Sequence, residues 1–249
     1  DTEQGDNASA GDINLGTSNI YADAAGYDLT LDAGSTGGNG GNVTVGLIDN
    51  NDGGSSYLND LSISTTGGPE DDGGITTLNG NVLLDNNGAD LGSFTISGDI
   101  ALSSNVTIDT EQGNDAAGGD VYFDGGFSAD AAGHDLTIDT STTNADTNGG
   151  AVTLDGSNNE GGFYVNDVTV DTSAGAGGTA GALTLKGNIF LNDDGAGDVA
   201  DFTFTGGGDI IVDAIFALEN IVAIDTEQGD NASAGDINLG TSNIYADAA

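Results

Sequence analysis

Residues Asp1–Ala25, DTEQGDNASAGDINLGTSNIYADAA, return without a change at Asp225–Ala249. A chain of 249 residues that repeats its own opening after 224 residues is a tandem array, and arrays fold by stacking like on like. A diverged copy begins at Asp109, as DTEQGNDAAGGDVYF followed by SADAAGHDLTIDT at Ser128–Thr140. The matching stretch of the first copy is YADAAGYDLTLDA at Tyr21–Ala33. The chain therefore divides into a unit, 1–224, made of related halves 1–108 and 109–224, with 225–249 opening the next unit. The repeat predicts one continuous body over 1–249 rather than separate domains.

Short segments of the form x-Φ-T-Φ recur, Φ being apolar: DLTL at Asp28–Leu31, NVTV at Asn42–Val45, DLTI at Asp135–Ile138, DFTF at Asp201–Phe204. Alternation with a period of two is the strand signal, and Val, Ile, Thr and Phe favour strands. Gly/Asn/Asp-rich turns separate the segments, and no stretch carries a helical period. One such strand cannot bury its apolar side alone, but stacked turns can. The expected fold is all-β without helices: a parallel β-solenoid with about eight three-strand rungs per 224-residue repeat. Rungs are expected to start near Asp12, Asn42, Ile75, Asp99, Asp120, Ala151, Ala182 and Asp209, with rungs one to four matching rungs five to eight in order. The Asp99 rung reads as short of its middle strand, and the long turns read as sharing one corner. Eight rungs predict a unit about 38 Å long. Pairs such as Val106/Ile108, Leu136/Ile138, Val152/Leu154 and Leu183/Leu185 should point inward, with Thr outward.

Charge narrows the partners. The chain has 41 acidic residues against one lysine, Lys186, one histidine, His134, and no arginine, a net charge of −40. Nucleic acids and anionic membranes are repelled by such a surface, and counter-cations are gathered by it. No apolar run is long enough to cross a membrane as a helix. Without cysteine there is no disulfide framework. The chain is expected to continue end to end into further identical repeats, since Gly26–Leu31 is what should follow a second copy of Asp1–Ala25.

Phrases such as GDINLGTSNIYADAAGYDLTLDAG and GGAVTLDGSNNEGGFYVNDVTVDTSAG resemble the repeat regions of giant bacterial filamentous-haemagglutinin-like β-helix adhesins. The resemblance lies in repeat style. It implies secretion or surface display, great length, and a role as stalk, filament or adhesin. The rival within that reading is a glycan- or partner-binding module on the variable turns.

An aspartate follows the third strand of several rungs, at Asp32, Asp109, Asp139, Asp171 and Asp225. Stacked at about 4.8 Å, Asp109, Asp139 and Asp171 would form a ladder, and with Asp225 they are the candidate metal ligands. Ca²⁺ suits them, because it takes carboxylate and carbonyl oxygens in flexible geometry. The competing reading is a solvated acidic edge in which Asp-Thr shapes a turn. Gly37–Val45, GGNGGNVTV, resembles a calcium-binding nonapeptide, but Asn42 stands where that pattern has Asp. Carboxylate pairs for glycoside hydrolysis are so abundant that no one pair stands out, and the chain is not expected to be an enzyme. His134 takes the place of Tyr27, and Lys186 that of Asn79 where it pairs with nearby acids. Asn7, Asn42, Asn105 and Asn231 sit in N-x-S/T sequons.

Overall fold

The Φ-Thr-Φ segments do become strands, each just long enough to put two apolar side chains on one side. The structure is a computed structural model that describes residues 2, 8–24, 26–49, 57–85, 92–113, 116–192, 200–206, 208–213, 224–225, 237–238 and 244–247. In chain order its strands are β1 (Ile13–Asn14), β2 (Tyr27–Asp32), β3 (Val43–Val45), β4 (Leu58–Ser64), β5 (Ile75–Leu78), β6 (Val82–Leu83) and β7 (Phe94–Ser97). There follow β8 (Asp99–Leu102), β9 (Val106–Asp109), β10 (Val121–Asp124), β11 (Phe127–Ala129), β12 (Leu136–Asp139), β13 (Val152–Leu154) and β14 (Val168–Asp171). The last are β15 (Leu183–Leu185), β16 (Ile189–Phe190), β17 (Phe202–Thr205), β18 (Ile210–Asp213), β19 (Ile224–Asp225), β20 (Ile237–Asn238) and β21 (Ile244–Asp247). No helix occurs among the described residues.

Among the described residues every strand-to-strand pairing is parallel, the one antiparallel bridge being Ala129 to Phe163, and strands pair with the strand one turn away rather than with their chain neighbours. The molecule is a parallel β-solenoid with three faces. The first face runs β1-β3-β5-β8-β11 and continues through a bridge from Phe127 to Ser157 towards the β16-β19 pair. The second begins with bridges from Ile20 to Ile48 to Val82 and runs β6-β9-β12-β14-β17-β20. The third is an eight-stranded sheet, β2-β4-β7-β10-β13-β15-β18-β21.

Register keeps like on like. On the second face Val106, Leu136, Val168 and Phe202 stack in one inward rank, and Ile108, Ile138, Val170 and Phe204 in another. All eight are buried, while Thr107, Thr137, Thr169 and Thr203 between them face outward and are only half-buried. Phe94 and Phe123, one turn apart, meet edge to face at 6.1 Å inside the third face. Ile13, Leu15 and Leu29 are only partly buried against this core. One threonine breaks the outward pattern: Thr76 pairs in register with Val43 and Ile100 and is itself fully buried.

The second half does not stand over the first face for face. Among the described residues, eleven strand positions run from β1 through β9, counting the bridges at Ile20 and Ile48. Eleven more run from β10 through β19, counting Ser157. Eleven is not a multiple of three, so each half hands its successor to a different face. The segments at Asp120, Ala151, Ala182 and Asp209, expected to open rungs as Asp12 does, lead instead into β10, β13, β15 and β18 on the third face. The Asp99 rung is short of one strand, as expected: among the described residues only β8 and β9 lie between Asp99 and Asp120, so the half-unit holds eleven positions and not twelve. The long turns accordingly occupy two corners: those after β2 and β4 join the third face to the first, and those after β9, β12 and β14 join the second to the third. Inward apolar pairs recur on every face, so the pairs alone tie no segment to a particular face, although β8 and β11 on the first face are buried at consecutive residues. The twenty-two strand positions among the described residues make seven and a third turns, or about 35 Å of axial length per unit.

Glycine columns let the turns approach. A Cβ on Gly150 would lie 2.0 Å from the carbonyl oxygen of Gly119, and one on Gly181 would lie 1.9 Å from that of Gly150. These are backbone atoms in paired turns and cannot swing away. Gly150→Ala should therefore cost about 3 kcal/mol, at the upper end of what forced overpacking costs. A urea midpoint equal to that of the parent chain would show that the turns are not packed this closely.

Candidate functional site: the stacked acidic corner

Three of the four candidate metal ligands come together. Asp109, Asp139 and Asp171 close β9, β12 and β14 and are in direct register on the second face. Asp225 does not join them. It ends β19, which pairs with β16 so that Asp225 stands beside Phe190, and Thr205 takes the place next to Asp171. Asp32 is also elsewhere, on the third face in line with Ser64 and Ser97. The one-face offset between halves explains both displacements.

Each ladder carboxylate works on its own turn. The Oδ1 atoms of Asp109, Asp139 and Asp171 accept the backbone N–H two residues on, from Glu111 at 3.0 Å, Ser141 at 2.9 Å and Ser173 at 2.9 Å. This is the Asx-turn geometry that aspartate favours where a strand must end. The next residue, Thr110, Thr140 or Thr172, is fully buried. Its hydroxyl donates to the carbonyl of Gly119 at 3.0 Å, Gly150 at 2.7 Å or Gly181 at 2.8 Å, across the base of the loop. Asp-Thr thus bends the chain out of the strand and ties the returning end of the loop shut.

The closed loops stack on one another as the strands do. Asp146 N–H donates to Ala176 O at 2.9 Å, Gly149 N–H to Thr179 O at 3.1 Å, and Gly118 N–H to Asn148 O at 3.0 Å. The result is a fin along the corner between the second and third faces. In the first half the equivalent fin holds Ser35 N–H on Thr66 O at 2.8 Å and Gly40 N–H on Asp72 O at 2.9 Å. At its base an open cavity of about 230 Å³ is lined by Asp32, Gly34, Ser35, Thr36, Ser64 and Thr66. One carboxylate and four hydroxyls make it a polar cup suited to water or a hydroxylated ligand. Sequence reading passed over Ser35, Thr36, Ser64 and Thr66, because small hydroxyl residues are common throughout the chain and only stacking gathers these four.

Many other acids staple one turn to the next. Asp12 Oδ1 accepts Asn42 N–H at 2.8 Å, Asp120 Oδ1 accepts Ala151 N–H at 2.8 Å, and Asp167 Oδ1 accepts Asp201 N–H at 2.8 Å. Asn42 does the same for Ile75 N–H at 2.9 Å, so the aspartate-to-asparagine change in its nonapeptide leaves a working staple. Asn105 takes a comparable place, its amide donating to Asp135 Oδ2 at 2.8 Å. Asn7 and Asn231 lie outside the described residues.

Lys186 spans two turns. Its Nζ donates to the Tyr122 hydroxyl, lies 4.4 Å from the centre of that ring, and is 3.8 Å from Asp124 Oδ1. Burial pulls its pKa down, but the Tyr122 bond and the acids Asp124 and Asp155 outweigh this and raise it. Asn79, its counterpart, also reaches two turns away, to Gly16 O at 3.3 Å. His134 Nε2 lies 3.2 Å from Asp130 Oδ1 in the turn before β12.

Burial pushes the Asp109 carboxyl up to about 6; the Glu111 N–H opposes this, and Asp139 and Asp85 add to it. A carboxyl that holds its proton more tightly when folded stabilises the fold as pH falls from about 6 towards 4, and this is lost as pH rises through 6. A rise of that size corresponds to about 3 kcal/mol, and partial exposure reduces this to about 1 kcal/mol. Asp109→Asn keeps the Oδ1 acceptor and removes the charge. It should raise stability by about 1 kcal/mol at pH 7 and by nothing at pH 4. Urea titrations at the two pH values check this; equal effects at both would contradict the assigned protonation.

As a donor set, the ladder offers one carboxylate per turn, with one oxygen of each already taken by a backbone N–H. Among the described residues no three His, Cys, Asp or Glu side chains close on a common centre. The arrangement suits counter-ions spread along a rank rather than an ion enclosed in a cage. The chain matches no protein-family model, no curated protein and no solved structure.

Proposed function

We propose that this chain is a structural tandem-repeat segment of an extracellular filament, stalk or giant surface adhesin, in the manner of the filamentous-haemagglutinin-like β-helix proteins. One observation carries the reading. The second copy of the opening segment forms β20 and β21, and these pair in parallel with β17 and β18 of the preceding unit. A new copy therefore extends the existing sheets instead of starting a separate body. End-to-end continuation with further repeats follows, each adding about 35 Å of rod. Such a segment serves as a spacer: its length scales with copy number, and its faces carry structural bonds rather than a single reactive centre. Counter-cations, Ca²⁺ among them, accompany the acidic ranks. No nucleic acid partner and no insertion into a membrane belong to this reading.

Chains of two, three and four units test it. Small-angle scattering should return a rod that lengthens by about 35 Å per added unit at constant cross-section. Flexibly linked beads would sink it. The second reading, an adhesive module, is favoured by the polar cup at Asp32 and the stacked loops around it. In that case loop substitutions at Thr36 or Thr66 abolish binding to a glycan array and leave rod length unchanged.

A further inference from the structure

The face offset inside this chain sets how a fibre of it displays its surface. The pair Ile13–Asn14 and its identical copy Ile237–Asn238 do not lie on the same face. Ile13 and Asn14 form β1 on the first face, paired with Val43 and Thr44. Ile237 and Asn238 form β20 on the second, paired with Phe202 and Thr203. Ile20, bridged to Ile48 on the second face, has its copy Ile244 on the third, paired with Ile210. Both pairs move by one face in the same sense. The diverged halves obey the same rule, since β1, β2 and β3 correspond to β10, β12 and β13, and each moves one face the other way.

We infer that successive copies of the unit present identical loops on successive corners, so that a fibre of this chain carries its loop fins as a three-corner staircase. The inference rests on the filament reading. Among the described residues twenty-two strand positions leave a remainder of one after seven turns of three, and every further copy repeats that remainder. Within the unit the first-half fin lies between the third and first faces and the second-half fin between the second and third. β19 and β20 then stand on the first and second faces, on either side of the remaining corner. Three consecutive half-units thus visit all three corners in about 53 Å. An extended surface bearing many copies of one small ligand would meet a fin whichever side of the fibre it touched, which is the geometry multivalent attachment requires. The same rotation spreads the bulk of the fins evenly around the axis, so no one side of the fibre is thickened.

A six-unit chain imaged by electron cryo-microscopy tests this. The expected map is a continuous fibre in which Ile13–Asn14 and its copies lie on three different faces in three consecutive units, with the first face regained every third unit, about 106 Å along. Because the chain has no cysteine, Thr36→Cys in every unit with a gold maleimide gives the same reading at lower resolution. A continuous fibre with the segment on the same face in every unit overturns the staircase and leaves the filament intact. Separate beads overturn both.

Discussion

Leu154→Asp should cost the solenoid roughly 5 kcal/mol or more and collapse its middle turns. Leu154 is fully buried and stacks in register on Leu185, within the inward rank of the third face. The substitution removes about 2–5 kcal/mol of side-chain burial and packing. It also leaves an unpaired carboxylate among apolar side chains, worth several kcal/mol more unless it takes up a proton. Against a typical total stability of about 5–15 kcal/mol, such a loss unfolds the chain or leaves it marginal. The neighbouring Thr153→Asn, on the same strand but facing outward and half-buried, should cost under about 1 kcal/mol. Urea melts of the two variants decide the point. Equal midpoints would mean that the strand does not alternate in and out as described.

Raising NaCl from about 10 mM to 1 M should stabilise the fold by several kcal/mol, because the Debye length contracts from about 30 Å to 3 Å. With a net charge of −40 the chain cannot avoid stacking like charges. On the second face Asp109 adjoins Asp139, which adjoins Asp171, while Asp135 adjoins Asp167, which adjoins Asp201. Each neighbour at about 4.8 Å costs up to about 1 kcal/mol in a water-like medium. Four such contacts on one face come to about 4 kcal/mol, equivalent to roughly 8–16 °C in Tm for a chain of this size. Calorimetry in CaCl2 and in NaCl of matched ionic strength separates two causes. Equal gains mean screening along the ranks, and a larger gain in CaCl2 means ions held between ladder carboxylates. A Tm indifferent to both salts would contradict the picture of crowded like charge.

The division between sequence and structure follows from what a repeat encodes. Alternation in segments such as Asp135–Ile138 was enough to predict all-β architecture, parallel stacking and the side on which Leu136 and Ile138 are buried, because a strand's period of two admits one inward set. The ladder of Asp109, Asp139 and Asp171 was legible for the same reason, since their spacing from the inward pairs is constant. Which face each segment occupies was not legible. The inward pairs are alike on all three faces, and the tie-breaker is a count of strand positions that includes single bridges such as Ile20, Ile48 and Ser157, too short to stand out as strands. The strand lost between Asp99 and Asp120 moves each following half by a whole face, which is why Asp32 and Asp225, expected like Asp109 to follow a third strand, close strands on other faces. The jobs of the acids also emerged only in three dimensions. Asp12, Asp120 and Asp167 look like solvated charge in the sequence, yet each accepts a backbone N–H from the next turn. Local pattern determined what each segment becomes; the winding of the chain, three strands to a turn and eleven to a half-unit, decided where it stands.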